Sequence, residues 1–193
     1  KFIFRQIKVK KSDIRNKILS IRKNKFDPSK KINFNIIKDF IFKNSAKPVI
    51  GGYVPVNYEI DCLNILKKLE NEKIKISLPV IKNNNEMEFY RYSFKFPMKI
   101  NKYGIPEPFM TKILLPNILF VPLVAFDDKL YRIGYGGGYY DRYLAKLEKK
   151  KLFKSIGFAF SFQKVNKIPT NNFDKKLDLV ITENKFYIWN FYS

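Results

Sequence analysis

The chain has 193 residues, 46% of them hydrophobic, and its 38 Lys and Arg against 17 Asp and Glu give a formal charge of +21. That length fits one domain, 1–193, with a core that needs no staples, and a single cysteine, Cys62, excludes an internal disulfide framework and fits a reducing, cytoplasmic compartment. There is no histidine, which excludes Ser-His-Asp triads, Cys-His dyads and histidine metal sites.

The positive charge invites a nucleic-acid reading, but the excess is mostly lysine and travels with abundant Asn, Ile, Phe and Tyr. These five residues share A/T-rich codons, and the lysines are scattered rather than gathered in one tract. The expectation is therefore a codon-biased chain without a nucleic-acid partner, whose field attracts small polyanions.

The opening KFIFRQIKVKK carries no signal-peptide pattern. Ile7, Ile14, Ile18 and Ile21 predict a basic amphipathic helix over Ile7–Asn24. Asp27-Pro28-Ser29 marks a turn, with a second helix predicted over Ser29–Phe42. Pro48–Tyr53 (PVIGGY) reads as a short buried strand, and Asn57–Asn71, with Ile60, Leu63, Leu66 and Leu69 on one face, as a helix that Cys62 enters as a small apolar residue. Lys73–Ile81 alternates as a strand does, Lys82–Asn85 is a turn, and Phe89–Phe96 is a further strand. Ile113–Phe126, the longest apolar run, contains two prolines and an asparagine and falls short of the roughly 20 residues of a spanning helix. It reads as buried strand, Leu119–Phe126 above all, in a soluble protein with no membrane partner. Tyr139–Lys150 is predicted helical, and Phe153–Phe160, Asp178–Thr182 and Phe186–Asn190 are short strands. Strands alternating with helices predict a single α/β domain, its largely parallel central sheet flanked by helices in a Rossmann-like three-layer arrangement. In such sheets ligands gather beyond the carboxyl ends of the strands, where the glycine-rich stretch falls.

That stretch is Arg132–Asp141, RIGYGGGYYD. Glycine permits φ > 0 and close backbone approach, so successive N–H groups of Gly134, Gly136, Gly137 and Gly138 can converge on an anion. A helix opening near Tyr139 adds the positive end of its dipole. Arg132 brings a guanidinium suited to phosphate, and Asp141 a hard oxygen suited to Mg²⁺. A flexible turn flanked by tyrosines is the structural alternative. The Walker A lysine is absent, and the dinucleotide fingerprint fails at Tyr139. Lys11 and Arg15, four residues apart on one helix face, form a second phosphate candidate, with a solvated basic face as the alternative. With no histidine, chemistry must rest on positioning, cations, backbone dipoles and carboxylate-held Mg²⁺, a profile that suits phosphoryl transfer.

Val121–Leu144, VPLVAFDDKLYRIGYGGGYYDRYL, resembles the signature of the 5-formyltetrahydrofolate cyclo-ligase (5,10-methenyltetrahydrofolate synthetase) family. Lys11-x-x-x-Arg15, YVPVNYEID at Tyr53–Asp61, KYGIPEP at Lys102–Pro108 and PTNNFDKKLDLVIT at Pro169–Thr182 extend the likeness over nearly the whole chain, more thinly. The resemblance implies an ATP- and Mg²⁺-dependent conversion of 5-formyltetrahydrofolate to 5,10-methenyltetrahydrofolate by a small cytoplasmic enzyme, expected to be a monomer. It implies ATP contacts at Lys11, Arg15, Arg132, Ile133, Gly134, Tyr135, Gly136, Gly137, Gly138, Tyr139 and Tyr140, with Arg132 and Tyr140 catalytic. Folate contacts fall on Val54, Glu59 and the run Tyr135–Tyr139, with Met87 or Phe89 packing on the pterin. Metal carboxylates fall on Asp141 and Asp174. Phe173 stands where many members have histidine, which leaves Asp178 as a competitor for Asp174. Glu59 has an alternative of its own, as an acidic residue favouring a helix dipole. An ATP-dependent kinase or ligase for another small substrate and a basic nucleic-acid module are the rival functions.

Overall fold

The structure, a computed structural model, describes residues 9–82, 86–150 and 153–188. Four α-helices lie at Lys11–Lys25 (α1), Phe34–Asn44 (α2), Leu63–Asn71 (α3) and Tyr139–Glu148 (α4). The strands are Val49–Gly51 (β1), Lys75–Ile81 (β2), Met87–Tyr92 (β3), Lys99–Ile100 (β4), Pro106–Glu107 (β5), Ile118–Pro122 (β6), Ala125–Phe126 (β7), Arg132–Ile133 (β8), Lys154–Phe158 (β9), Leu179–Ile181 (β10) and Phe186–Ile188 (β11). Parts of three predicted elements, at residues 7–8, 83–85 and 189–190, lie outside the described residues.

One seven-stranded sheet runs β11-β10-β9-β6-β1-β2-β3. Its five inner strands pair parallel, and the edge strands β3 and β11 close it antiparallel. Each inner strand sends alternate side chains to opposite faces. On β6, Ile118 and Phe120 join the layer that holds Ile37 and Ile41 of α2 and Ile65, Leu66 and Leu69 of α3. Leu119 and Val121 join the opposite layer, with Tyr143, Leu144 and Leu147 of α4. A strand buried on both faces must be apolar throughout, which is why β6 reads as a continuous hydrophobic run. Helix α1 packs elsewhere, its Ile18 against Val124, Ala125 and Ile133. The largely parallel three-layer α/β arrangement is as expected.

Helix α1 starts at Lys11 rather than Ile7, and β3 spans Met87–Tyr92 rather than Phe89–Phe96. Three further boundaries differ from expectation, each for a local polar reason. Helix α2 starts at Phe34 rather than Ser29, because the Asn33 side chain caps it by accepting from Asn35 N at 2.9 Å. Ser29 is spent on the preceding turn, its backbone N donating to Asp27 Oδ1 at 2.9 Å. Helix α3 starts at Leu63 rather than Asn57, since Asn57 and Tyr58 are left-handed, with φ of 47° and 62°. Cys62 is the N-cap residue, and the preceding Asp61 accepts from Leu63 N, the first N–H of the helix, at 2.8 Å. The long strand predicted over 119–126 breaks after Pro122 into β6 and β7. Between them the Leu123 and Val124 carbonyls accept from Gln163 Nε2 at 3.1 and 2.8 Å instead of continuing a ladder.

These breaks build the site. The carboxyl end of β1 releases a loop carrying Val54 and Glu59, and that of β6 releases the β7–β8 ribbon and the glycine segment. The long connection after β9 carries Asp174. All three leave from the same edge of the sheet, as the parallel pairing requires.

Candidate active site

The β7–β8 ribbon, with Phe126 opposite Arg132, delivers the glycine segment to the start of α4. Gly136 and Gly138 are left-handed, at φ of 102° and 67°, and Gly138 is the residue on which α4 begins. Carbonyls of the segment are held from outside: Arg15 Nε donates to Gly134 O at 2.8 Å, and Arg142 Nη2 to Gly137 O at 2.9 Å. With carbonyls engaged by cations, the N–H groups of Gly136, Gly137 and Gly138 donate to no protein group among the described residues. Unsatisfied N–H groups at a helix start form an anion cradle.

Two carboxylates stand beside it. Arg132, with a side chain only 3% exposed, donates from Nη2 to Asp141 Oδ1 at 3.0 Å and from Nη1 to the Lys175 carbonyl at 2.8 Å. Burial pulls the Arg132 guanidinium below its ordinary pKa, and the Asp141 charge opposes that shift. Asp174 is ion-paired with Lys11 Nζ and accepts from Asn171 N at 2.7 Å. Asp178, the competitor, is occupied at the start of β9, where it accepts from Ser155 N and Oγ. Among the described residues no group of three or more carboxylate, cysteine or histidine side chains forms a metal cage. The donor set suits Mg²⁺, which commonly uses one or two carboxylates together with water and phosphate oxygens. Asp141 and Asp174 line one cleft, each balanced by a cation from this chain.

That cleft has a volume of about 1530 Å³. A pocket for one small ligand commonly spans roughly 300–1,000 Å³, so there is room here for two. Its far wall is apolar, with Val54, Ile81, Met87 and Pro106, and the Tyr103 and Tyr139 hydroxyls meet across it at 3.1 Å. Glu59 closes this side. It is 6% exposed, its Oε2 accepts from Val56 N at 2.9 Å, and its Oε1 has no partner among the described residues. Burial raises its pKa to about 7, while the Val56 hydrogen bond and the Arg22 charge pull the other way. Tyr140 packs where burial and the Glu59 charge hold its phenol well above the ordinary value, so it is a neutral donor at working pH.

The Glu59 shift has a measurable consequence. Between its ordinary value of 4.5 and about 7 the folded chain holds a proton that the unfolded chain has released. Stability from this group is therefore present below the lower value and falls as pH rises to the upper one, by about 3 kcal/mol. Denaturant unfolding across that range should show the loss in the native protein and a flatter profile in Glu59→Gln. Equal slopes would mean that the carboxyl is not held protonated by the fold.

Every residue implied by the resemblance for ATP, folate and metal lines this one cleft, from Lys11 and Arg15 to Val54, Glu59, 132–141 and Asp174. Of the two pterin candidates, Met87 lines it and Phe89 is fully buried against Tyr143. Sequence reasoning missed Arg22, Tyr103, Asn171 and Lys175. Tyr103, Asn171 and Lys175 fall within the Lys102–Pro108 and Pro169–Thr182 segments of the resemblance, and Arg22 shares a helix face with Lys11, Arg15 and Ile18 at i, i+4, i+7 and i+11.

Fold and site together define a class: an α/β protein whose glycine loop and basic helix line one cleft with an apolar trough. A model of the 5-formyltetrahydrofolate cyclo-ligase family matches residues 7–183, and the chain belongs to that family. The 5-formyltetrahydrofolate cyclo-ligase of Haemophilus influenzae is 37% identical over 135 residues, covering 66% of this chain and 72% of the relative. That of Mycoplasma genitalium is 33% identical over 152 residues, covering 78% and 81%. The solution structure of Aquifex aeolicus 5,10-methenyltetrahydrofolate synthetase superposes with a TM-score of 0.71 at 27% identity, covering 92% of each chain.

Proposed function

We propose that this chain converts 5-formyltetrahydrofolate and ATP to 5,10-methenyltetrahydrofolate, ADP and phosphate. The observation that carries the reading is one cleft with two unlike walls: an anion cradle with paired carboxylates on one side, an apolar trough closed by Glu59 on the other. The glycine loop joins them, so a phosphate donor on the loop meets a folate in the trough.

A formamide oxygen is a poor leaving group, so the reaction needs that oxygen phosphorylated. N10 then attacks the activated carbon, and phosphate departs with the former formyl oxygen. Lys11, Arg15, Arg132 and the N–H groups from Ile133 to Tyr140 hold the triphosphate and offset charge as it develops on the transferring group. Tyr140 offers a neutral hydroxyl to the same region. Val54, Glu59 and the tyrosines at 135 and 139 hold the folate. Asp141 and Asp174 would hold Mg²⁺, which screens phosphate charge when bound. Residues 1–193 act as one domain, a cytoplasmic monomer working on small molecules without nucleic acid or membrane. Among the described residues no helix is long and apolar enough to cross a membrane.

Folded protein given Mg-ATP and 5-formyltetrahydrofolate should generate the near-ultraviolet absorbance of the methenyl product. No growth in absorbance from well-folded protein would sink the reading. Binding of DNA or RNA that weakens steeply with salt would point instead to a nucleic-acid surface.

A further inference from the structure

Arg22 is fully buried, the largest such side chain among the described residues, and the chemistry above makes no use of it. A guanidinium stays charged at any accessible pH, so complete burial is costly unless the group is held by several partners. Arg22 has partners from two separate segments. Nη1 donates to the Leu123 carbonyl at 3.1 Å, at the break between β6 and β7. Nη2 donates to the Tyr135 hydroxyl on the glycine segment, and the guanidinium carbon lies 5.7 Å from that ring's centroid. Its charge also acts on Glu59.

Two unmade hydrogen bonds mark the same region: Arg22 Nε and Glu59 Oε1 are both buried without a partner among the described residues. Tyr135 and Glu59 meet again at Val56, whose carbonyl lies 3.4 Å from the Tyr135 hydroxyl and whose N–H donates to Glu59. Glu59 and Tyr135 line the cleft, and Arg22 stands behind them.

We propose that Arg22 is a positioning residue for the folate half of the site, fixing the Tyr135 ring beside Glu59. Because Arg22 belongs to the helix that carries Lys11 and Arg15, one rigid element sets both halves of the cleft. The role rests on the reading that Glu59 and Tyr135 face the folate. It differs from that of a structural strut, which would tie α1 to Leu123 and leave substrate selection alone.

The test uses Arg22→Met, which keeps the volume and removes charge and donors, together with Arg22→Lys, Tyr135→Phe and the Arg22→Met/Tyr135→Phe double variant. Thermal unfolding is measured on each. The KM for 5-formyltetrahydrofolate should rise roughly ten- to hundredfold in Arg22→Met, as for loss of a hydrogen bond to a charged group, with the KM for ATP moving less than about threefold. Arg22→Lys should recover part of the loss. The Tyr135→Phe effect should be smaller in the Arg22→Met background than alone, because the two side chains act as one unit.

The acid limb of kcat/KM for the folate should move to higher pH in Arg22→Met. Glu59 shares its surroundings with Tyr53, Cys62, Tyr135 and Tyr140, and Asp27, Lys30, Lys31, Asp61 and Lys68 line the smaller cavity on its other side. Among these, Arg22 is the cation whose charge pulls the carboxyl down.

An equal rise in both KM values, strictly additive effects, or a fall in melting temperature with an unmoved folate KM would each overturn the role. If Arg22→Met does not fold, Arg22→Lys and Tyr135→Phe decide by the same KM split. Wild-type turnover is the control that separates the two readings. An inactive wild type sinks the proposed reaction, and an active wild type with an unmoved folate KM in the variants sinks only the role of Arg22.

Discussion

Arg132→Ala is expected to lower turnover by roughly two to three orders of magnitude, the effect of removing one preorganised donor from a developing anion, about 3–4 kcal/mol. Sequence alone places this arginine at a loop and implies a side chain reaching for phosphate. In the structure its fork is already committed, to Asp141 Oδ1 and to the Lys175 carbonyl. Loss of the side chain therefore removes positive charge from the cradle and also releases Asp141 from its orientation. It leaves the Lys175 carbonyl without that donor, at a stability cost of about 1–3 kcal/mol. Steady-state kinetics alongside thermal unfolding separates the two effects. Arg132→Lys, which keeps charge but not the planar fork, should recover stability poorly and activity in part. Near-normal turnover in a folded Arg132→Ala would show that the arginine is a bystander.

Gly138→Val should weaken ATP binding by roughly ten- to hundredfold, since a strained left-handed residue costs about 1–3 kcal/mol. At φ of 67° a β-branched side chain is disfavoured, and a Cβ there would stand 2.6 Å from Arg142 Nη1. Arg142 can swing its flexible end aside, at the loss of its hydrogen bond to the Gly137 carbonyl, so the strain at positive φ carries most of the effect. Glycines that look alike in the sequence are not equivalent. A Cβ on Gly134 meets nothing within 4 Å, so Gly134→Ala should cost least within the segment. Nucleotide titration on the variants checks the order, and unchanged binding in Gly138→Val would refute the backbone cradle.

How much of this was legible beforehand follows from how far each interaction reaches along the chain. Signals that act over a few residues were readable in type: the alternation that makes β2 and β6 strands, the apolar face of α3, and the glycine run between Arg132 and Asp141. Where they misled, at 29–33 and 57–62, a short polar side chain one turn further on captured the helix start. Asn33 and Asp61 did so with hydrogen bonds to Asn35 N and Leu63 N. Nothing in a single sequence ranks such competing caps, because their energies differ by less than the packing that chooses between them.

The sequence by itself determined the parallel sheet, the position of the glycine loop at its carboxyl edge, and the exclusion of histidine chemistry. Through the resemblance it also pointed to the family and to part of the cleft lining, from Lys11 and Arg15 to Asp174. Only the tertiary structure decided the partners of the charged groups: Lys11 with Asp174 across 163 positions, Arg132 with Asp141 and the Lys175 carbonyl, and Arg22 with the Tyr135 hydroxyl across 113. It also decided that Glu59 turns inward while its neighbour Asp61 accepts from Leu63 N at the start of α3. Periodicity reports which face of an element is apolar. The partner of a buried charge depends on where the closed sheet brings distant loops, and on which pairing best offsets the cost of leaving water.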